Sequence, residues 1–281
     1  MKSEPDINAK VGTAGIVTMA DANYFPGLQL LSRSTSGDGS MPICCFDSGL
    51  TGAQLHEIGS LMPNVLVLPI PLTPPILRIK ERFVSSDPLA KKNKRVWPLW
   101  ICPHLIESAP FQRVFWLDCD IAVLRRLPEL FAKLDGGPVF TLENNAPEAS
   151  PNKPLLYERL PIRRAFDPAR PVVNGGVSGW DLMRDREVLQ AYKLPIEHAI
   201  DDAEISDAIS WWDQGALIWA IQSLGLEHRV LQDSNWNLCV KHTSLARNPI
   251  PYDSEFLPSL RNMLPDVNLL HWNGYPVPWS T

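Results

Sequence analysis

The chain has 281 residues, 45% hydrophobic and 20% charged, a balance ordinary for one sizeable α/β domain or two small ones. A net charge of −5 without a sustained basic stripe excludes nucleic acid as the main partner. The apolar stretches fall short of a bilayer span and the five cysteines form no C-x-x-C pair, which argues against a transmembrane segment and a disulfide framework and fits reduced, buried thiols in a cytoplasmic protein.

The polar opening MKSEPDINAK lacks the apolar centre of a signal peptide, so residues 1–10 read as a disordered tail and 11–281 as a single domain. Gly15–Met19 predicts a first strand and Phe25–Ser34 the helix behind it. Pro42–Phe46 predicts a second strand ending at Asp47-Ser48-Gly49, after which Thr51 and Gln54 form a capping box that opens a helix. Val65–Ile70 predicts a third strand, and the proline-rich Pro71–Arg95 predicts loop with some helix. Its basic cluster, Lys91-Lys92-Asn93-Lys94-Arg95, reads as a solvated loop or as a surface for an anionic acceptor or lipid headgroup, which leaves room for peripheral membrane contact. Trp97–Ser108 predicts a helix. This alternation predicts an α/β fold with a mostly parallel central sheet and helices on both faces.

Phe111–Leu127, FQRVFWLDCDIAVLRRL, is the most informative segment. Its run Val114–Leu117 has the content of a buried strand and delivers two aspartates, Asp118 and Asp120, one residue apart. If strand geometry persists, side chains at i and i+2 share a face and the two carboxylates lie together. Like charges at that spacing repel unless a cation separates them, and oxygen ligation with room for phosphates suits Mn²⁺ or Mg²⁺. An EF-hand is excluded because Ala122 and Val123 stand where a ligand and the turn glycine belong. An aspartate-dependent phosphohydrolase usually wants Thr or Val at Ala122, and remains a weak competitor.

Leu127–Leu134, with Pro128 near its first turn, predicts an amphipathic helix, and Pro138–Leu142 a short strand. Glu143–Arg170 reads as an inserted excursion rich in Pro, Asn and charge. Val172–Trp180, VVNGGVSGW, returns as a strand with tightly packed glycines. Asp201 with Glu204 offers a helix start, and Asp213–Leu224 predicts a strongly amphipathic helix with Asp213 at or near its N-cap. The remainder, to HWNGYPVPWST, reads as irregular.

In this order the landmarks resemble the family 8 glycosyltransferases of the GT-A fold, from Ile16 to Trp279. Thr18-Met19-Ala20-Asp21-Ala22-Asn23-Tyr24 resembles the stretch that holds the uracil and ribose of a UDP-sugar. Asp118-Cys119-Asp120 resembles the metal pair, and Asn174-Gly175-Gly176-Val177 the strand lining the sugar. Asp213-Gln214 resembles the pair beneath the donor sugar, and His271-x-x-Gly274 the lid whose histidine completes the metal site. Taken singly, Ala20–Tyr24 is equally an Asx-turn opening a helix, and Asp213 equally an N-cap.

The resemblance implies a retaining, metal-dependent transfer of a hexosyl group from a UDP-sugar to a carbohydrate, glycolipid or protein acceptor. Asp118, Asp120 and His271 would hold Mn²⁺ or Mg²⁺. Ala20, Asp21, Asn23, Tyr24, Asp118, Gly175 and Gly274 would bind donor, and Gln214, Asp213 and Asn174 would serve the chemistry. Two departures stand out: Val277 replaces the lid lysine that bonds the diphosphate, and Trp97–Ser108 lacks the arginine many relatives carry. Lys80, Arg82, Arg95 or Lys241 would then substitute, or the protein is a catalytically weakened nucleotide-sugar binder. The tryptophans Trp97, Trp100, Trp211, Trp212, Trp236, Trp272 and Trp279 are candidates for stacking on a sugar acceptor.

Overall fold

A computed structural model describes residues 12–36, 41–85, 97–143, 152–160, 170–273 and 276–280. The tail at 1–10, the basic cluster with Arg95, and Gly274 of the lid motif lie outside the described residues. The strands are β1 (Gly12–Asp21), β2 (Ile43–Gly49), β3 (Val65–Pro69), β4 (Phe111–Leu117), β5 (Ile121–Val123), β6 (Val139–Leu142), β7 (Val173–Asp181), β8 (Val230–Leu231), β9 (Leu238–Cys239) and β10 (Leu269–His271). The α-helices are α1 (Phe25–Thr35), α2 (Gly52–Leu61), α3 (Pro74–Ser85), α4 (Cys102–Glu107), α5 (Leu127–Ala132), α6 (Pro154–Arg159), α7 (Arg186–Asp201), α8 (Ala203–Ala208), α9 (Asp213–Leu224) and α10 (Phe256–Met263).

Seven described strands form one sheet in the order β3-β2-β1-β4-β7-β6-β8. β7 alone among them runs antiparallel, paired with β4 on one side and β6 on the other. A second sheet, β5-β10-β9, stands at the carboxyl end of β4. The predicted mostly parallel α/β architecture is therefore what the chain adopts.

Burial on both faces explains the near-continuous apolar strands. Along β1, Ile16 packs into the layer beneath α1 and α2, whereas Val17 packs into the layer of α3, α4, α7 and α9. Phe115 and Trp116 on β4 divide in the same way. A third apolar cluster joins β10 to α10 and to Val277 and Trp279.

Local signals hold where they are chemical. The capping box at α2 forms, with Gln54 N–H donating to Thr51 Oγ1 at 3.3 Å and Thr51 N–H donating to Gln54 Oε1 at 2.9 Å. Several expectations change. Trp97–Ser108 is a 3₁₀ turn, Trp97–Ile101, followed by the short α4, because Pro98 and Pro103 each remove a backbone donor. The helix start expected at Asp201 falls one residue later, with Asp202 capping Glu204 and Ile205. The segment before it is the long α7, which tolerates Pro195 in its interior. α9 is not amphipathic: Gly215–Ser223 is buried throughout, because the sheet covers one side and α7 the other.

One buried titratable group bears on stability. His104 on α4 is 5% exposed, and burial, then the charge of Lys193, push its pKa from 6.5 down to about 4. The folded protein thus holds this ring neutral where the unfolded chain protonates it. Between about pH 6.5 and 4 the unfolded state binds more protons, so stability falls as pH falls, by up to about 3 kcal/mol from this residue. Chemical denaturation of His104→Leu across that range should show a shallower acid-side loss than the wild type. An unchanged slope would exclude His104 as the cause.

Candidate functional site

β4 ends at Leu117, and the next three residues turn instead of continuing as strand. Asp118 N–H donates to Gly176 O at 2.9 Å, and Ile121 N–H closes the turn on Asp118 O at 3.2 Å. The carboxylates meet through this turn and not through strand alternation, because the chain must reverse into β5 to pair antiparallel with β10. That pairing sets Ile121 opposite His271 and brings the imidazole to the aspartates.

Ligand atoms of Asp118, Asp120 and His271 lie within 4.8 Å of one another. His271 Nε2 is 3.2 Å from Asp120 Oδ1 and 3.8 Å from Asp118 Oδ2. On the other side of the ring, Nδ1 bonds Asn237 Oδ1 at 3.0 Å. An amide oxygen accepts only, so Nδ1 carries a proton toward Asn237, and Nε2 faces the carboxylates, where it donates to Asp120 when protonated and offers its lone pair to a cation when not. Asn237 is itself held by donation of its Nδ2–H to Thr141 Oγ1 at 3.0 Å. Trp116 Nε1–H donates to Asp118 Oδ1 at 2.9 Å.

The electrostatics agree with a cation site. Removal from water, then the neighbouring Asp120, raise the Asp118 pKa, and His271 and the Trp116 bond only partly oppose this. Burial would lower that of His271, but the charge and hydrogen bond of Asp120, then Asp118, outweigh it and raise the value. Two oxygen donors and one imidazole suit Mn²⁺ better than Mg²⁺, which prefers oxygen throughout. The residues fit the metal expected. Gly176 is required beside them: a Cβ there would lie 2.6 Å from both Asp118 Oδ2 and His271 Cε1.

A cavity of about 350 Å³ opens beside this cluster. Asp118, Gly175, Gly176, Asp213 and Gln214 line it. Glu143 and Asn273 also line it. Sequence reading passed over Glu143, Asn237 and Asn273, since an isolated Glu or Asn carries no spacing signal. Glu143, 4% exposed, gathers three amides: its Oε2 accepts from Asn174 Nδ2–H at 2.8 Å, Gln214 Nε2–H at 3.2 Å and Asn273 Nδ2–H at 3.4 Å. Gln214 Oε1 accepts from Gly175 N–H at 3.0 Å, so both ends of this amide are tied. Asn174 is buried, with Oδ1 accepting from Gly176 N–H at 2.9 Å, and reaches the site through Glu143.

Asp213 opens α9, with Trp212 at the N-cap. Burial, then the Asp118 charge, push its pKa from 3.8 up to about 7. Trp211 and Trp212 both have positive φ, 56° and 54°, and each is 40% exposed at the cavity. Gln214 N–H donates to Trp211 O at 3.1 Å, closing a tight turn in which Trp212, at φ 54° and ψ −124°, holds a place usually taken by glycine. Trp100, Trp236 and Trp272 are core residues at 4–5% exposure.

The Ala20–Tyr24 stretch sits at the carboxyl end of β1. Asp21 Oδ1 accepts from the N–H groups of Asn23 and Tyr24 at 2.8 and 3.0 Å, so the Asx-turn forms. Tyr24 meets Trp279 edge to face at 6.4 Å between centroids, which seats residues 276–280 against the start of α1. Val277 packs into the C-terminal apolar cluster. Lys80 lies over the Trp97 ring at 5.4 Å, and neither it, Arg82 nor Lys241 lines the described cavity.

No family model and no curated protein matches this chain. Solved structures do match. The galactosyltransferase LgtC, in complex with donor and acceptor sugar analogs, superposes with a TM-score of 0.59 at 18% identity, covering 94% of this chain and 89% of that one. The fold is that of the GT-A glycosyltransferases. An active-site mutant of LgtC superposes at 0.56 and 17% identity over 94% and 89% of the two chains. Mouse xyloside xylosyltransferase 1, in its apo form, superposes at 0.50 and 13% identity over 95% and 100%. LgtC is a family 8 enzyme, consistent with the motif series.

Two outcomes follow for this GT-A chain. Asn237→Ala should weaken Mn²⁺ binding about ten- to hundredfold, read by titration calorimetry, because His271 loses the partner that fixes its tautomer. Unchanged affinity would remove Asn237 from the site. In the metal-free protein Asp213 keeps its proton to about pH 7 where the unfolded chain releases it near pH 4. Stability from this residue therefore falls as pH rises through that window, and Asp213→Asn should flatten the decline seen in denaturant midpoints.

Proposed function

We propose that this protein is a retaining glycosyltransferase that moves a hexosyl group from a UDP-sugar to a sugar-bearing acceptor. The carrying observation is the Asp118–Asp120–His271 cluster, its histidine tautomer set by Asn237, at the rim of a cavity lined by Asp213 and Gln214. When bound there, Mn²⁺ or Mg²⁺ would supply Lewis-acid stabilisation of the departing diphosphate.

The chain's own residues do the positioning. Asp213 and the backbone of Gly175 and Gly176 meet the donor sugar, and the missing Cβ atoms leave room for Gln214, Asp118 and His271 to pack against that backbone. Gln214 lies beneath the sugar. With Oε1 accepting from Gly175 N–H and Nε2–H donated to Glu143, its amide is held in place, and an amide oxygen is a weak nucleophile. This supports front-face attack guided by the leaving phosphate, with the fixed amide dipole stabilising positive charge at the anomeric carbon. Trp211 and Trp212 would stack on the acceptor, since a strained turn costing about 1–3 kcal/mol per residue holds both indoles at the cavity. Ala20–Tyr24, at the strand ends where nucleotides bind in α/β sheets, would meet the uridine. Among the described residues no helix is long and apolar enough to cross a membrane.

The packing of half-buried Val277 against the apolar cluster favours a second reading, a weakened enzyme that binds nucleotide sugars without turning them over. Release of UDP from a panel of UDP-sugars with Mn²⁺ separates the two. The wild type should hydrolyse one donor slowly, and Asp120→Asn should lose at least about a hundredfold while remaining folded. UDP binding without turnover of any donor, alone or with sugar acceptors, would select the second reading; absence of UDP binding would sink both.

A further inference from the structure

A carboxylate in the first turn of a helix ordinarily swings toward water or caps its own amides. Asp213 does neither alone. Its Oδ2 accepts the phenolic O–H of Tyr192 at 3.1 Å, from a residue on α7 that is 0% exposed. The Tyr192 ring stacks on Trp180, with centroids 6.0 Å apart and planes 14° from parallel. Trp180 is also 0% exposed and donates its Nε1–H to Ser178 Oγ at 3.0 Å. Trp180 and Ser178 belong to β7, the strand that carries Asn174, Gly175 and Gly176. The Cys102 thiol lies within hydrogen-bond reach of both Asp213 and Tyr192.

We infer that Tyr192 is a positioning residue: its phenol, fixed through Trp180 to β7, holds the Asp213 carboxylate in the attitude that meets the donor sugar. The inference rests on the glycosyltransferase reading of this site. One strand then sets both walls of the sugar pocket, directly through the glycines and indirectly through Trp180, Tyr192 and Asp213. Tyr192 does this as a donor and not as a base, since burial, then the charge of Asp213, keep the phenol protonated. The titratable groups facing Asp213 are Cys102 from α4, Tyr192 from α7 and Asp118 from the end of β4. Asp213 is thus supported by neutral donors from two helices, in a protein whose Trp97–Ser108 segment has no arginine.

Tyr192→Phe removes one oxygen and keeps the ring stack. Its kcat/KM should fall at least about tenfold for hydrolysis of UDP-glucose or UDP-galactose, whichever the wild type turns over. UDP affinity in Mn²⁺ should stay within about twofold, because UDP has no sugar to meet Asp213, and the melting temperature should drop by no more than about 4 °C. A merely structural role would not move the second readout, a double-mutant cycle on UDP-hexose affinity measured by calorimetry. Adding Tyr192→Phe to Asp213→Asn should cost nothing further, since the two act as one unit. Wild-type kinetics in Tyr192→Phe, or losses that multiply in full, would overturn the inference. Failure of the wild type to bind UDP would fell the transferase reading, and this inference with it.

Discussion

Two carboxylates and an imidazole gathered within 4.8 Å shift one another's protonation, and a cation between them would relieve the repulsion of the carboxylates. The rest of the site is arranged around that constraint. Asp118 and Asp120 leave the sheet on a turn, His271 arrives on a separate strand, and the pairing of β5 with β10 makes them meet. Asn237 and Trp116 then take up the outward hydrogen-bonding groups of His271 and Asp118, so His271 Nε2 and the remaining carboxylate oxygens face one another. Like charges held this way raise the free energy of the metal-free fold. That cost is the ordinary mark of a site built for a charged ligand.

A second constraint is the reversed strand. β7 runs antiparallel between β4 and β6, so its start, and not its end, lies beside the Asp118–Asp120–His271 cluster. Its glycines must be small because Asp118, His271 and Gln214 occupy the space where side chains would stand. The same strand continues to Trp180, which is packed against Tyr192. A rigid element of the core therefore reaches the cavity-lining residues from two directions, which is how precise geometry is kept at the rim of a cavity.

Polar groups in the cavity are tied to one another and not left to solvent. Glu143 collects amides from β7, from α9 and from the segment after β10. A buried carboxylate with several donors rigidifies its surroundings, since losing any donor leaves a desolvated charge less satisfied. The strained Trp211-Trp212 turn sits at the opposite extreme. It is costly and exposed, and it persists because the fully buried α9 that follows anchors it.

Local chemistry was legible from residues alone. The capping box, the apolar strand before Asp118, the series of short motifs and the α/β alternation all depend on neighbours within a few positions, so the order of residues was enough to settle the fold class and to single out Asp118 and Asp120 as a pair. Packing settled what depends on distant partners. Strand spacing suggested the right carboxylate pair for an incomplete reason, because the turn after Leu117 answers to β10, far along the chain. α9 looked amphipathic because periodicity does not reveal that α7 covers its other side. Glu143, Asn237 and Tyr192 carry no signal in the linear chain: each matters through hydrogen bonds to residues that folding brings near. The linear chain names groups able to bind or react, and only the packed core, by fixing which of them share a hydrogen bond, selects the ones that act together.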